Sequence, residues 1–212
     1  MTQPPAKRTL WVHIIAFLPL LLTAYEYLAG TLPIVLDRHL VIRFGAVGMA
    51  FLVASFSITP LSILSGRTDL KPIRRPLGMY GFCYIALHLL AYLWLSNGFD
   101  WPLILRDIAE RRAMSIGLLA FALLIPLALT STNGWQRRLG RRWKVLHRLV
   151  YLAVPLSLLH YFWLERDIYN WVIVYTVVVL FLFAIRLPTM RRAIARRRQH
   201  SQWTVSENKD IG

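Results

Sequence analysis

Three of the six histidines lie where a side chain could bind a metal or a haem iron. His88 is in the middle of a long apolar run, whereas His147 begins another such run and His160 ends it. Ionisable residues inside a membrane are costly to bury and are functional candidates. Neutral imidazole is also a good axial ligand of haem iron. These residues therefore favour haem binding, with a structural role in helix packing as the alternative.

The depths of these histidines indicate which two could share one iron. At about 1.5 Å per residue, His88 lies about 16 Å into its span, and His160 lies about 22 Å into a parallel one. His147 lies only about 3 Å into that second span. Because predicted boundaries err by roughly 3–6 Å, His88 and His160 are the preferred pair of axial iron ligands. His147 would then serve a second, inner haem or another cofactor.

The other candidate residues have weaker signals. An ideal helix aims His147 and His160 about 140° apart, so they should not share one iron unless Pro155 rotates the helix. Arg75 and Arg148 could pair with haem propionates or a flavin phosphate, or simply anchor the inner face. Small residues at helical spacings could admit a porphyrin or allow close helix packing: Gly45, Gly48, Gly78 and Gly81. Solvated, interfacial or packing roles are expected of the remaining histidines, His13, His39 and His200.

Six apolar runs of bilayer length must position these side chains. Of the 212 residues, 57% are hydrophobic and only 17% charged, and the mean hydropathy is +0.49, unlike a soluble domain. We therefore predict an all-α membrane protein whose transmembrane domain, residues 10–187, is a six-helix bundle between a cytoplasmic segment 1–9 and a basic tail 188–212. The predicted spans are Leu10–Leu28, Leu40–Ile58, Leu77–Leu95, Ala113–Leu129, Val145–Leu164 and Tyr169–Leu187. No internal repeat is apparent in the sequence.

The net charge of +15 reports orientation rather than a nucleic-acid partner. Of the 25 Lys and Arg residues, 19 fall on the side of both termini and 6 on the other. By the positive-inside rule both termini are cytoplasmic. The opposite face holds acidic groups that could dock a partner: Asp100, Asp107, Glu110, Glu165 and Asp167. The single Cys83 excludes an internal disulfide, and no glycine-rich nucleotide loop is present.

Several motifs around the histidines resemble the ferric-reductase-like transmembrane family, over roughly residues 40–187. One is Arg74-Arg75-Pro76-Leu77-Gly78, followed by Leu87-His88-Leu89-Leu90-Ala91-Tyr92. Another runs from Leu129-Thr130-Ser131-Thr132 through Leu139-Gly140 and Trp143 to His147 and Tyr151, and ends in His160-Tyr161-Phe162-Trp163. Within that family, the chain is similar to the haem-binding membrane subunits of methionine sulfoxide reductase systems. Phe44-Gly45-Ala46-Val47 departs from the usual Thr-Gly-x-Trp.

The resemblance implies a six-helix protein of the bacterial inner membrane with one or two b-type haems held by His88, His147 and His160. It implies electrons from a cytoplasmic flavin reductase or membrane quinone, and a periplasmic molybdopterin-containing reductase as acceptor. FMN is a further cofactor of the family, without assigned residues here. Since the third span has only His88, a second bis-histidine haem lacks an obvious ligand.

Transmembrane electron transfer is thus the leading hypothesis. One alternative is a ferric or quinone reductase that acts without the molybdoenzyme. Another is a haem-free transporter or assembly factor whose histidines are structural.

Overall fold

A computed structural model describes residues 5–164, 169–190, 192–194 and 196, and these residues form helices and turns without any strand. The long helices are α1 (Pro5–Leu28), α2 (Leu36–Ser65), α3 (Lys71–Ala91), α5 (Arg112–Leu129), α8 (Val150–Leu164) and α9 (Tyr169–Arg186). The shorter ones are α4 (Trp101–Glu110), α6 (Asn133–Leu139) and α7 (Arg141–Leu146). A π-helical turn, Tyr92–Ser96, extends α3, and a 3-10 turn, His147–Leu149, joins α7 to α8.

Five helices of the described chain are long and apolar enough to cross a membrane. A sixth span results if α9 is joined to Pro188–Ile194 across a 66° bend. An all-helical protein with several membrane spans is thus confirmed, and the predicted number of six spans equals the upper count. The five helices overlap the first five predicted apolar runs. The large apolar side chains on the outside fit a lipid environment, in which such exposure carries no hydrophobic cost; Leu28 is 83% exposed and Leu180 64%.

Two antiparallel helix pairs, α2 with α3 and α5 with α8, form the centre of the bundle. The α2–α3 pair is joined by a short turn in which Gly66 adopts a left-handed φ of 69°, a conformation that glycine reaches without steric cost. The pairs meet through a core in which Leu52 of α2 packs with Leu124 of α5 and Ala153 of α8. A second core joins α2, α8 and α9 through Phe56, Val154 and Leu182.

Helix α1 lies at the edge of the bundle and is fastened by polar contacts. The Tyr84 hydroxyl of α3 donates to the carbonyl of Ala16. At the other end of α1, Arg43 of α2 donates to both carboxylate oxygens of Glu26, at 2.5 and 3.0 Å. These bonds fix an otherwise lipid-facing helix to the α2–α3 pair.

The segment Trp101–Leu105 lies outside the spans, as predicted, and begins the short amphipathic helix α4. The Asp100 carboxylate caps the N-terminus of α4 by accepting from the Leu103 amide at 3.2 Å. The fifth run, predicted to be one helix from Val145, is divided among α7, the 3-10 turn and α8. The 3-10 turn changes the angular relation between His147 and His160 from that of an ideal helix.

Candidate functional site

A mostly apolar cavity of about 320 Å³ lies between the two helix pairs, towards the N-terminus of α2 and the C-terminus of α3. We call it the histidine cavity, because the rings of His88 from α3 and His160 from α8 face each other across it. Their centres are 6.1 Å apart, and their planes are inclined by 80°. Helix α4 contributes Trp101 and Ile104 to the wall. The cavity thus brings the two preferred histidines together.

The ring of His88 is held by the backbone of α2. Its Nδ1 atom lies 2.8 Å from the carbonyl oxygen of Val41. Since a carbonyl oxygen only accepts, Nδ1 carries the proton and Nε2 keeps its lone pair. The ring lies against Gly45, where a Cβ atom would be 2.9 Å from Nδ1. The contact requires the absence of a side chain at position 45.

The ring of His160 is held in the same manner by α5. Its Nδ1 atom lies 2.7 Å from the carbonyl oxygen of Ala113, so this imidazole also has its proton on Nδ1. A Cβ atom on Gly117 would be 2.6 Å from that nitrogen. Both imidazoles therefore have an Nε2 lone pair available for a metal ion.

His88 and His160 are the residues that would hold a haem iron in this cavity, each through its Nε2 lone pair. A metal–imidazole bond is about 2 Å long, so the separation of 6.1 Å between the ring centres would leave room for one metal ion between the two imidazoles. The largely apolar wall suits a porphyrin, which binds in mostly apolar pockets with few oriented polar groups.

His147 lies in a different environment, near the start of α8. Its Nε2 atom is 3.2 Å from Thr130 Oγ1, and that hydroxyl donates its own proton to the Pro126 carbonyl at 2.6 Å. The hydroxyl therefore accepts from His147, and Nε2 carries the proton. The Trp143 ring stacks on the imidazole at a centroid distance of 3.9 Å. Unlike the other two histidines, His147 thus has its Nε2 occupied.

His147 borders a second cavity of about 610 Å³, which we call the basic cavity. Lys71, Arg74 and Arg75 at the start of α3 form its cationic side. Arg75 donates to Asn133 Oδ1 at 2.5 Å, and Arg74 donates to Thr59 Oγ1 at 3.3 Å. Three cations beside an apolar interior suit an anionic cofactor with a planar ring system.

Three other predicted residues, Arg148, His13 and His39, lie apart from both cavities. The side chain of Arg148 is exposed and lies outside the lining of either cavity. His13 bonds Tyr80 at 2.7 Å between Nδ1 and the hydroxyl, and His39 Nε2 is 3.9 Å from the Glu26 carboxylate. His200 is outside the described residues.

Three of the five acidic groups predicted to dock a partner lie on or next to α4. Asp107 accepts from the Tyr92 hydroxyl at 2.9 Å and pairs with Arg111 at 3.3 Å, while Glu110 pairs with Arg106. Asp100 caps the helix. Glu165 and Asp167 are outside the described residues.

Sequence reasoning missed the groups that hold the two facing histidines. Gly117 is not among the candidates that the sequence predicts, and Gly45 is one of four small residues there. No residue-type signal marks the two acceptor carbonyls, but the structure shows the same separation of 47 positions between each histidine and the residue whose carbonyl accepts its proton. The two helix pairs therefore present their histidines in corresponding ways, although no repeat is apparent in the sequence.

Comparisons with known proteins agree with this architecture. Residues 41–158 match the family model described as the ferric reductase like transmembrane component. A protein of Caulobacter vibrioides, named protein-methionine-sulfoxide reductase heme-binding subunit MsrQ, is 39% identical over 186 residues, which cover 87% of this chain and 89% of the relative.

Two further relatives carry the same name. The protein of Rhodospirillum rubrum is 38% identical over 85% of this chain and 88% of its own length. That of Polaromonas naphthalenivorans is 37% identical over 100% of this chain and 94% of its own. No solved structure matches this chain.

Proposed function

This chain belongs to the ferric-reductase-like transmembrane family, and we propose that it is the b-haem subunit of a methionine sulfoxide reductase system in the bacterial inner membrane. It passes electrons from a cytoplasmic flavin reductase or membrane quinol to a periplasmic molybdopterin-containing reductase. The substrate site belongs to that partner. Methionine sulfoxide reduction and haem binding are the properties for which the relatives are named.

The observation that carries this proposal is the arrangement of His88 and His160. Two imidazoles from different helices, 6.1 Å apart between ring centres, each have a protonated Nδ1 bound to a backbone carbonyl and an unprotonated Nε2. A haem held there would supply a one-electron carrier. An interhelical packing role alone would not require both Nε2 lone pairs to remain available.

His147 and the basic cavity provide a place for a second, inner cofactor. FMN or another b-type haem would meet Lys71, Arg74 and Arg75 with its acidic groups. Axial ligation by His147 Nε2 would require the bond to Thr130 to break. The structure therefore favours a cofactor that contacts His147 without ligation, such as a flavin. Arg148 could pair with haem propionates or a flavin phosphate, as predicted, only if its exposed side chain turned towards one of the cavities.

The charge distribution supports a direction for electron transfer. We infer that the basic cavity faces the cytoplasm, because the excess of Lys and Arg lies on that side. The histidine cavity and α4 then lie towards the periplasm, where the partner collects electrons. Residues 10–187 form the transmembrane domain in this proposal, while 1–9 and 188–212 remain on the cytoplasmic side.

Optical spectra of the purified protein in detergent test the proposal. We expect sharp b-type bands after reduction with dithionite, and their loss or strong shift in both His88→Ala and His160→Ala. His13→Ala serves as the matched control, since its ring contacts Tyr80 rather than either cavity. A colourless protein after haem supplementation would contradict haem binding altogether, and a loss confined to His147→Ala would contradict the ligand pair.

Electron transfer to the partner distinguishes the proposed system from a stand-alone reductase. The haem protein is reduced by a flavin reductase with NADH and then mixed with a periplasmic molybdopterin methionine sulfoxide reductase. Reoxidation only when both the partner and methionine sulfoxide are present is expected. Equal reoxidation by ferric citrate alone would indicate a ferric reductase instead.

A further inference from the structure

The two histidines of the histidine cavity share one feature that an axial ligand does not itself need. Each donates its Nδ1 proton to a helix carbonyl that already belongs to the hydrogen-bond pattern of its own helix. Val41 and Gly45 are one turn apart in α2, and Ala113 and Gly117 are one turn apart in α5. In both cases the glycine follows the acceptor carbonyl by one turn.

This order along the helix has a steric reason. Side chains of an α-helix tilt towards its N-terminus, so that each residue covers the turn preceding its own Cα. A side chain at position 45 would therefore shield the Val41 carbonyl, and one at 117 would shield that of Ala113. The distances agree: added Cβ atoms would lie 2.9 Å from Nδ1 of His88 and 2.6 Å from Nδ1 of His160.

Helix packing alone explains other glycines of the bundle. A Cβ atom on Gly48 would meet the Ile85 side chain at 2.7 Å, and one on Gly81 would meet Leu52 at 2.9 Å. These two residues allow α2 and α3 to approach closely, without contact to a histidine. Gly45 and Gly117 differ because the atom that would clash belongs to a ring with a specific hydrogen bond.

We propose that Gly45 and Gly117 are paired positioning residues, which uncover the Val41 and Ala113 carbonyls so that each carbonyl fixes the tautomer and plane of one axial histidine. This inference rests on the proposed haem function. The two bonds engage Nδ1 of both rings and leave both Nε2 atoms unprotonated, with the ring planes inclined by 80°. Outer hydrogen bonds of this kind orient metal-bound histidines and raise their basicity.

Two alanine substitutions test the proposal through the spectrum of the haem rather than through activity. In Gly45→Ala and Gly117→Ala, the added methyl group displaces the histidine ring from its carbonyl. We expect a changed electron paramagnetic resonance spectrum of the oxidised haem, because that spectrum depends on the angle between the two imidazole planes. A changed midpoint potential is expected as well. Gly81→Ala, with a clash of similar size against Leu52, which is outside the lining of the histidine cavity, should retain the wild-type signal.

Ligand rescue tests the hydrogen bond without requiring a clash. His88→Gly is supplemented with imidazole, 4-methylimidazole or 1-methylimidazole, of which only the last lacks an N–H to donate to the Val41 carbonyl. The first two should restore the low-spin spectrum at concentrations about 10–100-fold below that of 1-methylimidazole. 4-Methylimidazole controls for the added volume.

The outcomes separate the inference from the proposed function. If the wild-type protein has no b-type spectrum, haem binding fails and the positioning role fails with it. If the wild-type spectrum is present, but Gly45→Ala and Gly117→Ala match Gly81→Ala, only the positioning role is overturned. Equal rescue by 1-methylimidazole and 4-methylimidazole would overturn the hydrogen bond in the same manner.

Discussion

At the scale of single residues, the protonated nitrogen distinguishes the three histidines that line the two cavities. His88 and His160 have the proton on Nδ1, because backbone carbonyls accept from that atom. His147 has it on Nε2, because Thr130 directs its own proton elsewhere. One residue type is thus prepared for two different roles by its neighbours.

Thr130→Val tests the arrangement around His147. Removal of the hydroxyl deprives Nε2 of its acceptor, so we expect the imidazole to become a mixture of tautomers. The ¹⁵N shifts of the labelled histidine ring measure this change. The b-type spectrum proposed for a haem at His88 and His160 should be unaffected.

Thr176→Val is the matched control for that substitution. The Thr176 hydroxyl also bonds a carbonyl of the preceding turn, that of Val172 at 2.8 Å, and among the described residues this bond does not involve a histidine. A single Nε2–H tautomer in both variants would disprove the role assigned to Thr130.

Depth counting along the helices predicted that His88 and His160 approach each other, because the rise per residue is nearly constant and both spans were recognisable. Counting residues along the helices could not predict the carbonyls and glycines that hold the two rings. They depend on which faces of α2 and α5 turn towards the neighbouring helix. Backbone carbonyls also carry no residue-type signal in a sequence.

At the scale of elements, the helices differ in how firmly they are attached. The α2–α3 and α5–α8 pairs share extensive apolar cores. Helix α1 adds only Ala16 to the described buried clusters, beside Phe51 and Tyr84. Its attachment therefore depends strongly on the Arg43–Glu26 ion pair, of which the two side chains are only 20% and 21% exposed.

Glu26→Gln should loosen α1 from the bundle. The change removes the bidentate ion pair and leaves the Arg43 guanidinium half-buried without a counter-charge, which is more costly than the loss of a solvated pair. We expect a lower Tm in detergent and faster proteolysis of α1.

Glu110→Gln is the control for that experiment. The Arg106–Glu110 pair of α4 is 69% and 60% exposed, and such pairs contribute only about 0.3–0.5 kcal/mol. The Tm of Glu110→Gln should stay close to that of the wild type. Equal losses in both variants would refute the special contribution of the α1 contact.

Apolar runs predicted the long helices well, since bilayer length and composition determine them almost alone. The breaks between elements were less predictable. Helix α4 is short and amphipathic, so its apolar content is too low to register as a span. Beside the division of the fifth run at His147–Leu149, Trp143 Nε1 donates to the Thr130 carbonyl at 3.0 Å, a tertiary contact for which the local sequence has no distinct signal.

At the scale of the whole molecule, cations are concentrated at one end of the bundle. The start of α3 and all of α6 and α7 lie at that end, with Lys71, Arg74 and Arg75 beside the basic cavity. The histidine cavity lies near the other end, beneath α4. The proposed direction of electron flow depends on which end faces the cytoplasm.

Single-cysteine labelling in cells measures that orientation. Cys83 is the one cysteine of the sequence, so Cys83→Ser provides a background for Arg106→Cys on α4 and Arg141→Cys on α7. A membrane-impermeant maleimide added to intact spheroplasts should label position 106 and spare 141. Inverted vesicles should show the opposite pattern, and reversed labelling would refute the inferred topology.

The hydrogen bonds from His88 and His160 to backbone carbonyls also affect how fast an electron carrier bound between the two rings could exchange electrons. Rings fixed by helix carbonyls before a cofactor arrives have little freedom to shift when an iron changes its charge. Preorganised surroundings of this kind need little rearrangement at the moment of reaction. A small inner-sphere reorganisation energy would follow, and the distance to donor and acceptor would then govern the rate of transfer across the membrane.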